Sequence, residues 1–275
     1  MKDKQSLPPR GRKISLVTFN VKGSPLFEKE TYKRLDIIGL ALNNKRDVDI
    51  VNLQEIFAYY HLYLLRKKMV DFPYCVFKSF IFGPKGGLVT FSKVPIKKVK
   101  FVSYPNPKII KKLFLGKGIL INKIRDSMTY ILNTHLTANR DNDWSKTSRF
   151  YPIHVNQIEK LKKTVESIKS FDYIIATGDF NISKKSSLYK KITDEMQMKD
   201  VFKKYNSPTF HQEFMSKGER SNRIDFVLIK NRKRWKAIKK GHLFTKGSLP
   251  KKINKGFSSD HIGLQVQFNL ESKYE

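Results

Sequence analysis

The chain has 275 residues, 40% of them hydrophobic and 12% aromatic, enough for one large domain with a sizeable core. Lys and Arg total 55 against 24 Asp and Glu, a net charge of +31, which argues against an acidic, self-solvating chain and points to polyanionic partners, nucleic acid or an anionic membrane surface. A single cysteine, Cys75, excludes an intrachain disulfide and reads as a small buried hydrophobe rather than a nucleophile.

Residues 1–12 read as a basic tail with no apolar signal segment, and residues 13–272 as one domain. No apolar run is long enough to span a membrane, so the expectation is a cytoplasmic monomer, with secretion left open and no protein partner. Residues 14–20 are apolar and β-branched, a strand ending in Asn20. Residues 29–44 carry Leu35, Ile38 and Leu42 at helical spacing. Residues 49–53 form a buried strand running into Gln54 and Glu55, and 57–70 read as helix. The aromatic, basic stretch 73–82 reads as a buried core strand, with an exposed hairpin touching membrane or bases as the other possibility. Strands follow at 88–91, 96–102, 114–121 and 128–133, the last leading into Thr134-His135. Residues 153–168 predict a long helix and 173–177 a strand ending in Gly178-Asp179-Phe180-Asn181. A short helix at 186–191, a docked segment at 198–204, a strand at 224–229, a turn at 257–261 and a half-exposed strand at 262–270 complete the chain. Helices alternate with strands, and a meander lies between 86 and 134, which favours a mixed α/β layered fold over one parallel sheet.

Polar residues recur where apolar runs stop: Asn20, Glu55, His135, Asp179, Asn181, Asp225, Asp260 and His261. Each alone has an ordinary structural reading, as a turn residue, an edge histidine or, for Asp225, a partner of Arg223. Together they are all metal- or acid–base-competent. Asp179 and Asn181, two apart, point to one side of an extended segment.

The strings Thr18-Phe19-Asn20-Val21, Leu53-Gln54-Glu55, Asn133-Thr134-His135-Leu136, Gly178-Asp179-Phe180-Asn181, Arg223-Ile224-Asp225-Phe226 and Ser259-Asp260-His261 resemble, in order, the motifs of the endonuclease/exonuclease/phosphatase superfamily. The resemblance spans residue 14 to about 270. It implies a four-layer sandwich, two mixed β-sheets face to face and flanked by helices. It implies that Glu55 binds a divalent cation, with Asn20 beside it and Asp260 a further cation-side carboxylate. Asp179 and Asn181 match the pair that orients the attacking water and the phosphate. His261 matches the acid–base histidine steered by Asp225, and His135 the histidine that contacts the phosphate or leaving oxygen. Whether His261 or Asp179 takes the proton from water stays open.

This chemistry suits a phosphate diester, whose charge must be neutralised while a water is aligned. An oxygen and amide ligand set without cysteine suits Mg²⁺, with Mn²⁺ as the alternative. Ile56-Phe57 after Glu55, the run from Gly87 to Ile96, and Lys117-Gly118 are similar to the neutral sphingomyelinase-like branch. That implies a phospholipid head group as substrate. The lysine-rich stretches 97–112 and 230–255 favour instead a DNA or RNA endonuclease of the same fold, or a basic surface that docks on an anionic bilayer. A non-catalytic polyanion-binding module is the remote third reading.

Overall fold

The protein is described by a computed structural model covering residues 12–23, 29–105 and 116–271. Two six-stranded mixed sheets pack face to face. In the first, β11 (Trp235–Leu243), β12 (Gly263–Leu270), β1 (Arg12–Asn20), β2 (Ile50–Gln54), β4 (Pro84–Ser92) and β3 (Tyr74–Ser79) lie in that order. In the second the order is β5 (Ile96–Ser103), β6 (Gly118–Ile124), β7 (Thr129–His135), β8 (Tyr173–Asp179), β10 (Asp225–Asn231) and β9 (Lys199–Asp200). Each sheet holds one parallel pair. β1 reaches β2 through α1 (Lys29–Asn43), and β7 reaches β8 through α3 (Tyr151–Glu166). Parallel neighbours need such a crossover, and the remaining pairs are antiparallel.

Three apolar clusters fill the three spaces of this four-layer sandwich. Leu35, Ile38 and Leu42 of α1, with Leu62 and Leu65 of α2 (Tyr59–Lys68), pack on Val17, Phe19, Val51 and Leu53. Ile158, Leu161 and Val165 of α3 pack on Leu132, Ile174, Ala176 and Phe226. Between the sheets, Ile14, Leu16, Ile50 and Phe268 meet Ile131, Tyr173, Ile175 and Val227.

Strand period explains the site. Side chains two apart share a face, so the inward faces read Ile14, Leu16, Thr18, Asn20 on β1 and Ile50, Asn52, Gln54 on β2. On β7 they read Ile131, Asn133, His135, and on β8 Tyr173, Ile175, Thr177, Asp179. Each runs from hydrocarbon, through an amide or hydroxyl, to the strand end. The middle layer is a buried polar lock. Asn52 Nδ2 donates to Thr177 Oγ1 (2.8 Å), and Gln54 Nε2 donates to Asn133 Oδ1 (2.8 Å). Asn133 Nδ2 donates to the carbonyls of Leu53 and Val89, both at 3.0 Å.

Several expectations are corrected. Arg12 opens β1 rather than closing a tail, and residues 1–11 and 272 lie outside the described residues. The stretch 73–82 contains a half-buried edge strand, not a core strand, and its Ile81 and Phe82 are exposed. Cys75 is correspondingly only half-buried; burial still pushes its thiol up to about 11, so it is no nucleophile. The strand expected at 114–121 starts at Gly118, and residues 114–115 lie outside the described residues. Strand β12 is mostly buried rather than half-exposed, because β1 and β11 flank it. β11 itself was hidden in the lysine-rich stretch 230–255. Its lysines, like Lys97, Lys98 and Lys100 of β5, lie on sheet-edge strands, where charge blocks edge-to-edge pairing. Part of the excess charge therefore has a structural cause.

Replacing Asn133 by Leu removes its two donations to the carbonyls of Leu53 and Val89 and the acceptor at 2.8 Å for Gln54 Nε2. Chemical denaturation should show about 2–3 kcal/mol of lost stability at unchanged m-value. A loss under about 0.5 kcal/mol would mean that the amides do not lock the sheets.

Candidate active site

Both parallel pairs end on the same rim, and an antiparallel strand begins there beside each of them. β1 delivers Asn20, β2 leads into Glu55, β7 delivers His135 and β8 Asp179, while β10 begins at Asp225 and β12 starts two residues after His261. Glu55 leaves the strand in the left-handed region (φ 66°). This turn is cramped by design: a Cβ on Gly23 would lie 2.0 Å from the Glu55 carbonyl oxygen, and one on Gly87 2.9 Å from the Glu55 Cα. Asn181 likewise sits at φ 50°, so it meets Asp179 through a left-handed turn rather than along an extended segment.

All eight sequence-predicted residues converge. Asn20 Nδ2 lies 3.2 Å from Glu55 Oε1, 3.1 Å from Asp179 Oδ2 and 3.4 Å from His261 Nε2. Its oxygen accepts the Lys22 N–H (2.9 Å), so nitrogen rather than oxygen faces the carboxylates. Asn181 Nδ2 and N–H both donate to Asp179, each at 2.9 Å. His135 Nε2 is 3.3 Å from Asp179 Oδ2 and 3.8 Å from Glu55 Oε1. His261 Nδ1 is 3.0 Å from Asp225 Oδ2, and its Nε2 is 3.7 Å from Asp179 Oδ2. Asp260 stands at the edge of the group, 3.9 Å from Lys22 Nζ. Arg223 does not compete for Asp225; it is spent on a buried pair with Asp200 (2.5 Å).

The electrostatics separate the two histidines. Burial lowers the proton affinity of His135, and Lys117 lowers it further, so His135 is neutral. Burial acts downward on His261 too, but the Asp225 and Asp179 carboxylates outweigh it and raise it to about 10. Burial pushes Asp225 up to about 6 despite the imidazolium beside it. Burial also pushes Asp179 upward, and the imidazolium of His261, the hydrogen bond from His135 and the Lys117 ammonium more than reverse this, leaving it ionised. Between about pH 6 and 10 the metal-free pair is thus imidazolium and carboxylate.

Three contributors carried no role in the sequence reading. Lys117 Nζ lies 2.7 Å from His135 Nε2 and donates to the Leu136 carbonyl (2.5 Å). Its string Lys117-Gly118 was visible, its target was not. Arg34, buried on α1, donates to the carbonyls of Val21, Lys22 and Ser258 and so ties the Asn20 loop to the His261 loop. Thr209 Oγ1 accepts the Ile224 and Asp225 N–H groups, both at 3.0 Å. Nothing in a lone helical arginine or loop threonine announces such roles.

The group opens into a cleft of about 360 Å³ lined by Glu55, Asp179, Asn181, Phe210, Asp260 and His261. A larger cavity, about 680 Å³, lies at the opposite rim beside Arg12, Thr129, Tyr173 and Leu270, away from this chemistry. Asp179, Asp225 and His261 offer ligand atoms within 4.8 Å of one another. Asp225 is already committed to His261, so this trio reads as an acid–base array beside a carboxylate rather than a cation cage. Glu55 and Asp260 line the cleft with Asp179 but make no pair with a histidine as close as its own, and are hard oxygen donors of the kind Mg²⁺ takes while keeping waters.

The sequence profile of the Endonuclease/Exonuclease/phosphatase family matches residues 17–261. The chain belongs to this family. Its members are divalent-metal-dependent phosphoesterases and nucleases acting on phosphodiesters, and the chain is an enzyme of that class. A Staphylococcus aureus beta toxin structure superposes with TM-score 0.71 at 17% identity, over 92% of this chain and 99% of its own. A beta toxin variant with bound magnesium ions gives 0.69 at 18% over 93% and 99%. Truncated Caenorhabditis elegans TDP2 gives 0.65 at 18% over 94% and 97%. At these identities the likeness is one of fold. No curated protein sequence matches the chain. Among the described residues no helix is long and apolar enough to cross a membrane.

A group whose folded pKa is raised stabilises the fold below its unfolded pKa and loses that contribution as pH passes the folded value. For His261 the loss runs from about 6.5 to about 10. In EDTA, ring-nitrogen NMR should show His261 as imidazolium at pH 8 and His135 as neutral. Asp225→Asn should lower the His261 midpoint by at least one unit. A His261 already neutral at pH 8 in the wild type would contradict the electrostatic assignment.

Proposed function

We propose that the protein is a Mg²⁺-dependent phosphodiesterase, folded as a single catalytic domain, that releases phospholipid head groups by in-line attack of water. The observation that carries this is the convergence of Glu55, Asp179, His135 and the His261–Asp225 pair at one strand-end rim, with Glu55, Asp179 and His261 lining the cleft. The resemblance to the sphingomyelinase-like branch at Ile56-Phe57 and Lys117-Gly118 supports the lipid substrate. So does the exposed aromatic surface beside Glu55 described below.

Glu55 and Asp260 would hold the cation, with Asn20 donating to Glu55 and fixing its carboxylate. A bound Mg²⁺ supplies Lewis-acid polarisation of a phosphoryl oxygen. Asp179, kept ionised and braced by Asn181, orients the water hydrogen-bonded to it. His261, with Asp225 fixing its ring, moves the proton at Nε2. The base form of His261 must be reached for that, and a cation held by Glu55 and Asp260 would favour it by offsetting the carboxylate charge. His135, neutral, would meet the phosphate or leaving oxygen through Nε2, the ring atom that Lys117 Nζ also contacts (2.7 Å). Mn²⁺ suits the same donors.

The second reading is a DNA or RNA endonuclease of this fold. The net charge of +31 favours it, and the edge-strand placement of many lysines weakens that argument. A non-catalytic module would gain only if Glu55→Ala changed no measurable property.

With Mg²⁺, the protein should release head groups from sphingomyelin or phosphatidylcholine vesicles and leave supercoiled plasmid intact. Nicking without head-group release would make the nuclease reading the correct one. EDTA should abolish activity and Mg²⁺ restore it. His261→Ala and His135→Ala should each lower turnover by roughly 10²- to 10⁴-fold. Wild-type turnover in both would remove their assigned roles.

A further inference from the structure

The helix that follows Glu55 is amphipathic in an unusual sense. Leu62, Leu64 and Leu65 of α2 face inward, while its outward side carries Tyr59, Tyr60 and Tyr63 and then Arg66 and Lys67. These are not isolated exposures. Tyr60 stacks on Tyr63 (6.0 Å between centroids) and meets Tyr32 edge-on (4.9 Å). The turn between β3 and β4 continues the surface. Tyr59 N–H donates to the Phe82 carbonyl (3.0 Å) and Tyr59 OH to the Phe80 carbonyl (2.8 Å). Ile81 and Phe82 are each 59% exposed, Tyr63 55%. The aromatic end of this surface is tied to the site: a Cβ on Gly83 would lie 2.4 Å from the Phe57 carbonyl oxygen, two residues from Glu55.

We infer that this face, Tyr59, Tyr60, Tyr63, Ile81 and Phe82 with Arg66 and Lys67, docks the enzyme on an anionic lipid bilayer. Tyrosine rings with a polar tip settle at the headgroup level, aliphatic and phenyl groups reach the acyl boundary, and basic residues alongside are attracted by anionic lipids. The exposed row of α2 supplies the tyrosines and then the basic residues, the β3–β4 turn supplies Ile81 and Phe82, and the chain's net charge of +31 is complementary to such a surface. Docking there would place the rim of the cleft at the headgroup layer. A protein partner covering this face would bury the phenol rings of Tyr60 and Tyr63 together with the charged ends of Arg66 and Lys67. The inference rests on the phospholipid reading for its purpose, but not for its test.

The test is vesicle sedimentation in EDTA, so that binding is read without turnover. Wild type should co-sediment with vesicles of phosphatidylserine and phosphatidylcholine and far less with phosphatidylcholine alone. The triple variant Tyr60→Ser, Tyr63→Ser, Phe82→Ser should bind at least about tenfold more weakly. Arg66→Gln with Lys67→Gln should weaken binding and flatten its salt dependence. Turnover of a soluble chromogenic phosphodiester with Mg²⁺ should be unchanged in both, which also shows that they fold. Triple-variant binding equal to wild type would overturn the assignment. So would loss of single-stranded oligonucleotide binding with vesicle binding intact, which would make the tyrosines a base-stacking platform. If the variants lose vesicle binding yet wild type releases no head group, the surface stands and the phospholipid substrate falls.

Discussion

The amide pair Gln54–Asn133, with Asn52–Thr177 beside it, is the interaction on which the rest depends. Two sheets sliding on hydrocarbon alone have no unique register, because greasy side chains tolerate small displacements. A buried amide that must meet its partner at 2.8 Å does not. These contacts sit one step below the strand ends. They fix where β2 and β1 stop relative to β7 and β8, and hence where Glu55 and Asn20 meet His135 and Asp179. The site is divided between two sheets, and the polar layer brings its halves into contact.

Above that layer the charges are arranged to remain unlike one another. Asp179 stays ionised because cationic and hydrogen-bonding neighbours surround it, and Asn20 and Asn181 supply fixed N–H donors. His261 is held between two carboxylates and His135 against a lysine, so two imidazoles a few ångströms apart favour opposite protonation states. A phosphodiester hydrolase needs such an asymmetry: one group to take or give a proton, another to meet phosphate oxygen without carrying a proton elsewhere. Glu55 and Asp260, which line the cleft, are the carboxylates we propose for the cation.

Much of this was legible in the chain. Asn20 and Asp179 are visible because each is the first charged or amide side chain after an apolar run of strand length, and His135 because it closes such a run two residues after Asn133; strand ends are where layered α/β folds expose chemistry. The order of the motifs added the sheet architecture. β11 was not legible. A bulge between Ala237 and Lys239 breaks its alternation, and its edge lysines make it look like a solvated charge run. The burial of β3 was overestimated because aromatic residues are as compatible with a surface patch as with a core. Arg34 and Lys117 act through backbone carbonyls and a histidine far away in sequence, which no local pattern encodes.

Anomalous diffraction from crystals soaked in Mn²⁺ would most directly test the proposal that Glu55 and Asp260 hold one cation beside Asp179 and the two histidines. The proposal predicts a single strong peak in the cleft within bonding distance of a Glu55 carboxylate oxygen, about 2.0–2.1 Å for a Mg²⁺-type site, and loss of that peak in Glu55→Gln. A peak bound by Asp225 and His261, or none on the cleft floor, would contradict it.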